Sequence, residues 1–284
     1  LFGLLFGSLA NVILLRFNTG ESLVYRGSRC FSCARKLAWF ELIPVFSFLF
    51  LRGRCRTCKS RISWQYPLVE LGTGVLFLVV YITLNFQFSL FRQGFSGLAI
   101  FNFQKYLLLN TGYLILAIGA WYFLWLSALY DIRHKILPDF FIYAALVLAL
   151  FAYLIQKGLS EVLYYPVAVS AALFLFFFSL WFFSKGRWMG LGDAKFVLAF
   201  GVLMQPSYAV LAVMLAFWIG ALAGVSLVLF RNLNLSYLPR QIRSGFLRGL
   251  SLKSEIPFGP FLFLGGMLSV SLGEEILNWY IQLF

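Results

Sequence analysis

The chain has 284 residues, of which 62% are hydrophobic and only 12% charged, and its mean hydropathy is +0.88. Soluble domains average about 25% charged residues, so this composition excludes an ordinary soluble globule and points to an all-α polytopic membrane protein. The formal net charge of +13 fits the positive-inside rule better than nucleic-acid binding, because nucleic-acid binders carry their basic patch on a folded soluble surface.

Taken in chain order, residues 1–15 are apolar but short of the roughly 20 helical residues that a hydrocarbon core needs, and they read as a span whose beginning is missing. They contain Asn11 and no small-residue cleavage site, so a signal peptide is a poor description. From 16 to 66 the chain turns polar and holds ten of the 23 Lys and Arg residues with all four cysteines, which reads as a small extramembrane domain. A second span is expected over 67–84, followed by a Phe-rich interfacial loop over 85–105. Further spans are expected over 106–130, 140–155, 162–183, 194–204 and 209–230, and a last one from Phe258 onward. That makes about eight transmembrane helices, with a cytoplasmic four-cysteine domain between the first and second.

Charge sets the orientation. If the cysteine domain is cytoplasmic, alternation puts 131–139, 184–195 and 231–257 on the same side, and 20 of the 23 basic residues lie there. Only Arg92, Lys105 and Lys157 fall opposite, which is the bias the positive-inside rule describes. Asp131 and Asp193 are then on one cytoplasmic face, each at a helix end that water can reach.

A carboxylate in an apolar helix is costly and so is a functional-site hypothesis by default. Two near one membrane face can divide labour: like charges a few ångströms apart do not both ionise, so one stays protonated as the acid while the other activates water. Asp193 also sits in a glycine frame, Gly190-Leu191-Gly192-Asp193-Ala194-Lys195, where Gly190 and Gly192 would let a backbone come close. The alternative is that each aspartate caps a helix or pairs with Arg133, Lys135 or Lys195. Two same-side carboxylates, one of them glycine-framed, favour catalysis.

Cys30-Phe31-Ser32-Cys33 and Cys55-Arg56-Thr57-Cys58 are paired CxxC knuckles with the ligand spacing of a tetrahedral four-thiolate zinc site. Reducing surroundings and ten nearby cations favour metal over disulfides, although a redox-active dithiol pair is the competing reading. Four protein ligands leave no open position, so the zinc would be structural. His134 reads as a solvated loop residue. Glu70 reads as snorkelling or paired with Arg61, Glu274 and Glu275 as interfacial, and the Phe174–Phe178 run and the tryptophans as lipid-facing bulk and interface anchors.

Several motifs together resemble the type IV prepilin peptidase/N-methyltransferase family, membrane aspartic proteases of the GxGD type. They are Gly7-Ser8 with Asn11-Val12 and Arg16, both knuckles, Leu51-Arg52-Gly53-Arg54-Cys55, Tyr66-Pro67-Leu68-Val69-Glu70-Leu71, Asp131 with Leu137-Pro138-Asp139, the 190–195 frame, and Ile256-Pro257-Phe258-Gly259-Pro260-Phe261. The resemblance implies that Asp131 and Asp193 are the catalytic pair. It also implies removal of the basic leader of prepilins or pseudopilins after a glycine, and methylation of the new N-terminal amine from S-adenosylmethionine. Residues 1–70 look like the part that methylating members have, leaving 71–284 as the peptidase part, in a bacterial inner membrane with the active site facing the cytoplasm. Membrane lipid and prepilins are the implied partners, and nucleic acid is not. Presenilin-like proteases share Tyr-Asp and Gly-x-Gly-Asp but rely on a Pro-Ala-Leu motif absent here. A proton-coupled transporter would need midplane carboxylates and internal repeats.

Overall fold

The first and third helices of the computed structural model meet through glycine; the model describes residues 1–20, 22, 27–93, 103–157, 164–232 and 257–282. Helix α1 (Phe2–Arg16) lies against α3 (Gln65–Gln93). A Cβ on Gly3 would stand 2.9 Å from the Gly74 Cα, and one on Gly7 only 2.5 Å from the Glu70 Cα. One turn further, the Asn11 side-chain amide donates to the Tyr66 carbonyl at 3.1 Å. The pairs 3/74, 7/70 and 11/66 run in opposite directions, so the helices are antiparallel and their backbones approach as small residues allow inside membranes.

Two units divide the chain, 1–126 and 127–284. In the first, α3 also meets α4 (Phe103–His134): the Trp125 indole N–H donates to Thr73 Oγ1 at 2.9 Å. The Tyr122 hydroxyl donates to the Phe6 carbonyl at 2.9 Å, and the Phe6, Phe77 and Tyr122 rings cluster around it. Between α1 and α3 come a 3-10 turn (Trp39–Leu42), the short α2 (Phe46–Phe50) and the four cysteines.

The second unit takes the end of α4, then α5 (Asp139–Lys157), α6 (Tyr164–Ser184), α7 (Leu191–Leu203), α8 (Pro206–Asn232) and α9 (Gly259–Gln282). Helix α7 packs chiefly on α6 and α5. Helices α8 and α9 pair closely: a Cβ on Gly265 would meet the Ala212 carbonyl, and Ser269 Oγ donates to the Tyr208 carbonyl at 2.6 Å.

Six helices among the described residues are long and apolar enough to cross a membrane; α1, α2 and α7 are shorter. The expected sixth span is α7, whose 13 residues reach only about 20 Å at 1.5 Å per residue. Nine of the 13 are buried, as expected of a helix that is hydrophobic all round and enclosed by its neighbours. Pro206 opens α8 at its first position, where a missing N–H costs nothing.

Other boundaries shift as well. The loop expected over 85–105 is largely helix, since α3 runs to Gln93 and α4 begins at Phe103; residues 94–102 lie outside the described residues, as does most of the basic loop 231–257. The Phe174–Phe178 run is not uniformly lipid-facing: Phe177 is fully buried, with its ring near those of Phe217 and Phe258. Trp121 is buried too and is no interface anchor.

Candidate functional site

The turn joining α4 to α5 is sharp. Lys135 adopts φ +55° and donates its N–H to the Asp131 carbonyl at 2.8 Å, ending α4 one turn past Asp131. Asp131 therefore sits in the last turn of α4, and it is 5% exposed. Its Oδ2 accepts the Gly259 N–H at 3.0 Å, at the first residue of α9. Helix N-termini present unpaired N–H groups, so they suit a carboxylate.

Asp193 is the third residue of α7 and is 6% exposed. Its Oδ2 accepts the N–H of Gly190, the N-cap residue, at 3.2 Å. That is half of a capping box, in which an acidic side chain at the third position reaches back to the N-cap backbone. The capping alternative is thus physically present, but the burial goes beyond what a surface cap requires.

The glycines differ in what they do. A Cβ on Gly192 would stand 2.8 Å from the Leu137 Cβ, and one on Gly259 would stand 2.8 Å from Asp131 Oδ2 and 3.0 Å from Leu137 Cδ2. An added Cβ would displace Leu137 at Gly192 and the Asp131 carboxylate at Gly259, and Leu137 adjoins both glycines. At Gly190 the nearest atom to a Cβ is Asp193 Oδ2 at 3.6 Å, an ordinary contact. Lys195 pairs with neither Asp131 nor Asp193: its Nζ lies 2.8 Å from both carboxylate oxygens of Asp139, in the first turn of α5. Sequence reasoning did not assign roles to Gly259 or Leu137, although both lie in motifs that the resemblance used. His134, exposed, stacks on Tyr130 with ring centroids 4.2 Å apart.

In the first unit the four cysteines come together, and none is in a disulfide. Their sulfurs all lie within 4.8 Å of one another, a cluster that could hold a metal ion. A tetrahedron with metal–sulfur bonds of about 2.3 Å has sulfur–sulfur edges of about 3.8 Å, and Cys30 and Cys58 are 3.7 Å apart. The two knuckles share one backbone pattern at an offset of 25 residues. Cys30 N–H bonds the Arg35 carbonyl as Cys55 N–H bonds that of Ser60, both at 2.9 Å. Ala34 and Lys59 turn the chain at φ +55° and +58°, and the bridges Arg29–Lys36 and Arg54–Arg61 close the loops. Backbone N–H groups of Cys33 and Ser32 pull the Cys30 thiol down to about 6, and the Ser60 hydroxyl lowers that of Cys58, while desolvation and the neighbouring sulfurs push that of Cys33 up to about 11. Thiolates are the form that binds metal.

Two buried carboxylates brace this region. Glu41 accepts Arg35 Nη2 at 2.7 Å and the Ala38 N–H at 2.9 Å. Glu70 neither snorkels nor pairs with Arg61: it is buried, and its Oε2 accepts the Val45 N–H at 2.7 Å. Val45 is a β-branched residue at φ +63°, a strained conformation that its surroundings must hold.

Comparison with known proteins follows the same division. The bacterial Peptidase A24 N-terminal domain matches residues 1–84, and the type IV leader peptidase family matches 118–225. Similar curated proteins, each named prepilin leader peptidase/N-methyltransferase, include one from Pseudomonas putida, 31% identical over 263 residues, 90% of this chain and 75% of the relative. One from Pseudomonas aeruginosa is 28% identical over 92% of this chain and 77% of its own length. One from Bacillus subtilis is 27% identical over 100% and 96%. No solved structure matches the chain. With a relative above 30% identity covered over three quarters of its length, and both domain matches in order, the chain belongs to the prepilin leader peptidase/N-methyltransferase family.

Proposed function

We propose that the protein cleaves the basic leader of prepilins or pseudopilins after a glycine at the cytoplasmic face of the inner membrane, using Asp131 and Asp193, and then methylates the exposed amine. The observation that carries the reading is two buried carboxylates at neighbouring helix ends, each held through Oδ2 by a glycine N–H. A charged carboxylate of the pair takes a proton from water as the water attacks the scissile carbonyl. Its protonated partner supplies the proton that the leaving amine needs. Fixed N–H donors hold both groups, so neither has to reorient during the reaction.

Residues 71–284 then carry cleavage and residues 1–70 serve methylation, with S-adenosylmethionine as the methyl-donating co-substrate. Cys30, Cys33, Cys55 and Cys58 would hold a structural Zn²⁺, which orders that region without touching substrate. The test is co-expression with a prepilin. Asp131→Asn and Asp193→Asn are each expected to leave the precursor uncut while the enzyme still inserts, because an amide neither takes up nor gives the proton. Processing at the wild-type rate in either variant overturns the assignment.

A further inference from the structure

Residues 193 and 195 lie about 200° apart around a helix at 3.6 residues per turn, so Asp193 and Lys195 leave α7 on nearly opposite sides. Asp193 is buried, whereas Lys195 reaches α5 and the two oxygens of Asp139 at 2.8 Å. Two residues before Asp139, Leu137 is wedged against Gly192. The start of α7 therefore touches the α4–α5 turn and the start of α5 at two separate points. Packing on α5 and α6 holds the body of α7, so what the Leu137–Gly192 contact leaves free is a small turn of its first residues. A second attachment on another side of the helix limits that turn.

The turn is itself tied to Asp131. Lys135 N–H bonds the Asp131 carbonyl at 2.8 Å, and the Phe141 N–H bonds that of Pro138 at 3.2 Å, so Asp131 and Asp139 flank one short hydrogen-bonded corner. We propose that Asp139 and Lys195 are positioning residues for cleavage, their ion pair fixing the rotation of the first turn of α7 and hence the placement of Asp193 relative to Asp131. This rests on the aspartate pair being the cleaving groups.

Stability is a poor explanation for the pair. Its side chains are 21% and 55% exposed, and exposed ion pairs contribute little. Geometry is a better one. With a helix radius of about 5–6 Å including side chains, a rotation of about 10° moves a carboxyl group by about 1 Å. Misplacement on that scale can lower a rate about 10²-fold.

The experiment uses the full chain in lipid nanodiscs with a purified prepilin, measuring kcat and KM for leader cleavage. Lys195→Gln and Asp139→Asn are expected to lower kcat about 10- to 100-fold with KM nearly unchanged. Lys195→Arg, which can re-form the pair, and the exchanged pair Asp139→Lys with Lys195→Asp are expected to recover at least part of that loss. A wild-type kcat in Lys195→Gln or Asp139→Asn overturns the proposal, as does a loss in KM alone, which would make these residues substrate contacts. A Lys195→Arg variant and an exchanged pair both as slow as Lys195→Gln also overturn it. Asp131→Asn and Asp193→Asn run alongside: cleavage surviving in them refutes the aspartate pair itself, whereas inactivity there with normal Asp139→Asn refutes only the positioning role.

Discussion

Gly259 donates its N–H to Asp131 Oδ2 at 3.0 Å, and a Cβ at the same residue would stand 2.8 Å from that oxygen. A side chain at 259 would have to displace the carboxylate that this N–H holds. Gly259→Ala is therefore expected to push the Asp131 carboxylate aside and slow leader cleavage on the order of 10- to 100-fold. Gly190→Ala, where the nearest atom is 3.6 Å away, is expected to stay within about threefold of wild type. Processing rates of the two variants side by side check this; equal effects would mean that the local space around Asp131 does not matter.

A second expectation concerns the metal. Protein kept reduced throughout purification should carry about one zinc per chain, as for a closed four-thiolate site, and Cys33→Ser or Cys58→Ser should lower that sharply. Elemental analysis decides it, and a metal-free wild-type protein would count against the site.

The two activities should separate. A four-thiolate site has no position for substrate, so its loss acts by loosening residues 30–58, while Asp131 and Asp193 lie on later helices. Cys30→Ser with Cys55→Ser is expected to give pilin that is trimmed but unmethylated. Intact-mass measurement of the mature pilin distinguishes the forms; fully methylated pilin would remove the cysteines from methyl transfer, and uncut precursor would tie the two halves together.

Acid should weaken the bracing of the cysteine region at Glu41. The Arg35 guanidinium and the Ala38 N–H hold the Glu41 carboxyl below the usual carboxylate range. A lowered folded-state pKa gives stability that is present above the unfolded value of about 4.3 and lost as pH falls through the folded one. Glu41→Gln is thus expected to melt below wild type by a constant margin above about pH 5, with the margin closing in more acid solution. Thermal unfolding of both proteins across that range measures it; a margin that widens toward acid would contradict the linkage.

The residues that carry chemistry were the easiest to read. Asp131 and Asp193 stood out because charge is rare in this chain, and the cysteines because their spacing is that of a metal site. Their partners were harder. Lys195 had three carboxylates within plausible reach in the sequence, and only folding selects Asp139. Glu70 bonds a backbone N–H at Val45, and a backbone donor leaves no mark in a sequence. Phe177 and Trp121 lie in runs that are apolar on every side, where no periodicity tells a lipid-facing ring from one enclosed by other helices. The shortness of α7 was legible, since the expected segment 194–204 is no longer than the 13 residues observed, but an apolar run does not tell a span from a helix enclosed by its neighbours.

The 25-residue offset between the knuckles makes them interchangeable parts. Hydrogen bonds, left-handed turn residue and closing bridge recur in the same places, so the backbone of 55–61 transplanted over 30–36 would present its two sulfurs at the same corners. The surface around the cage would change instead. Cys30-Phe31-Ser32-Cys33-Ala34-Arg35-Lys36 carries two cations and the exposed Phe31, whereas Cys55-Arg56-Thr57-Cys58-Lys59-Ser60-Arg61 carries three cations and no aromatic ring. The backbone is indifferent to which knuckle fills which half, and the individuality of each lies in its side chains: Ser60 of the second lies beside the sulfurs, whereas Arg35, its counterpart in the first, reaches Glu41.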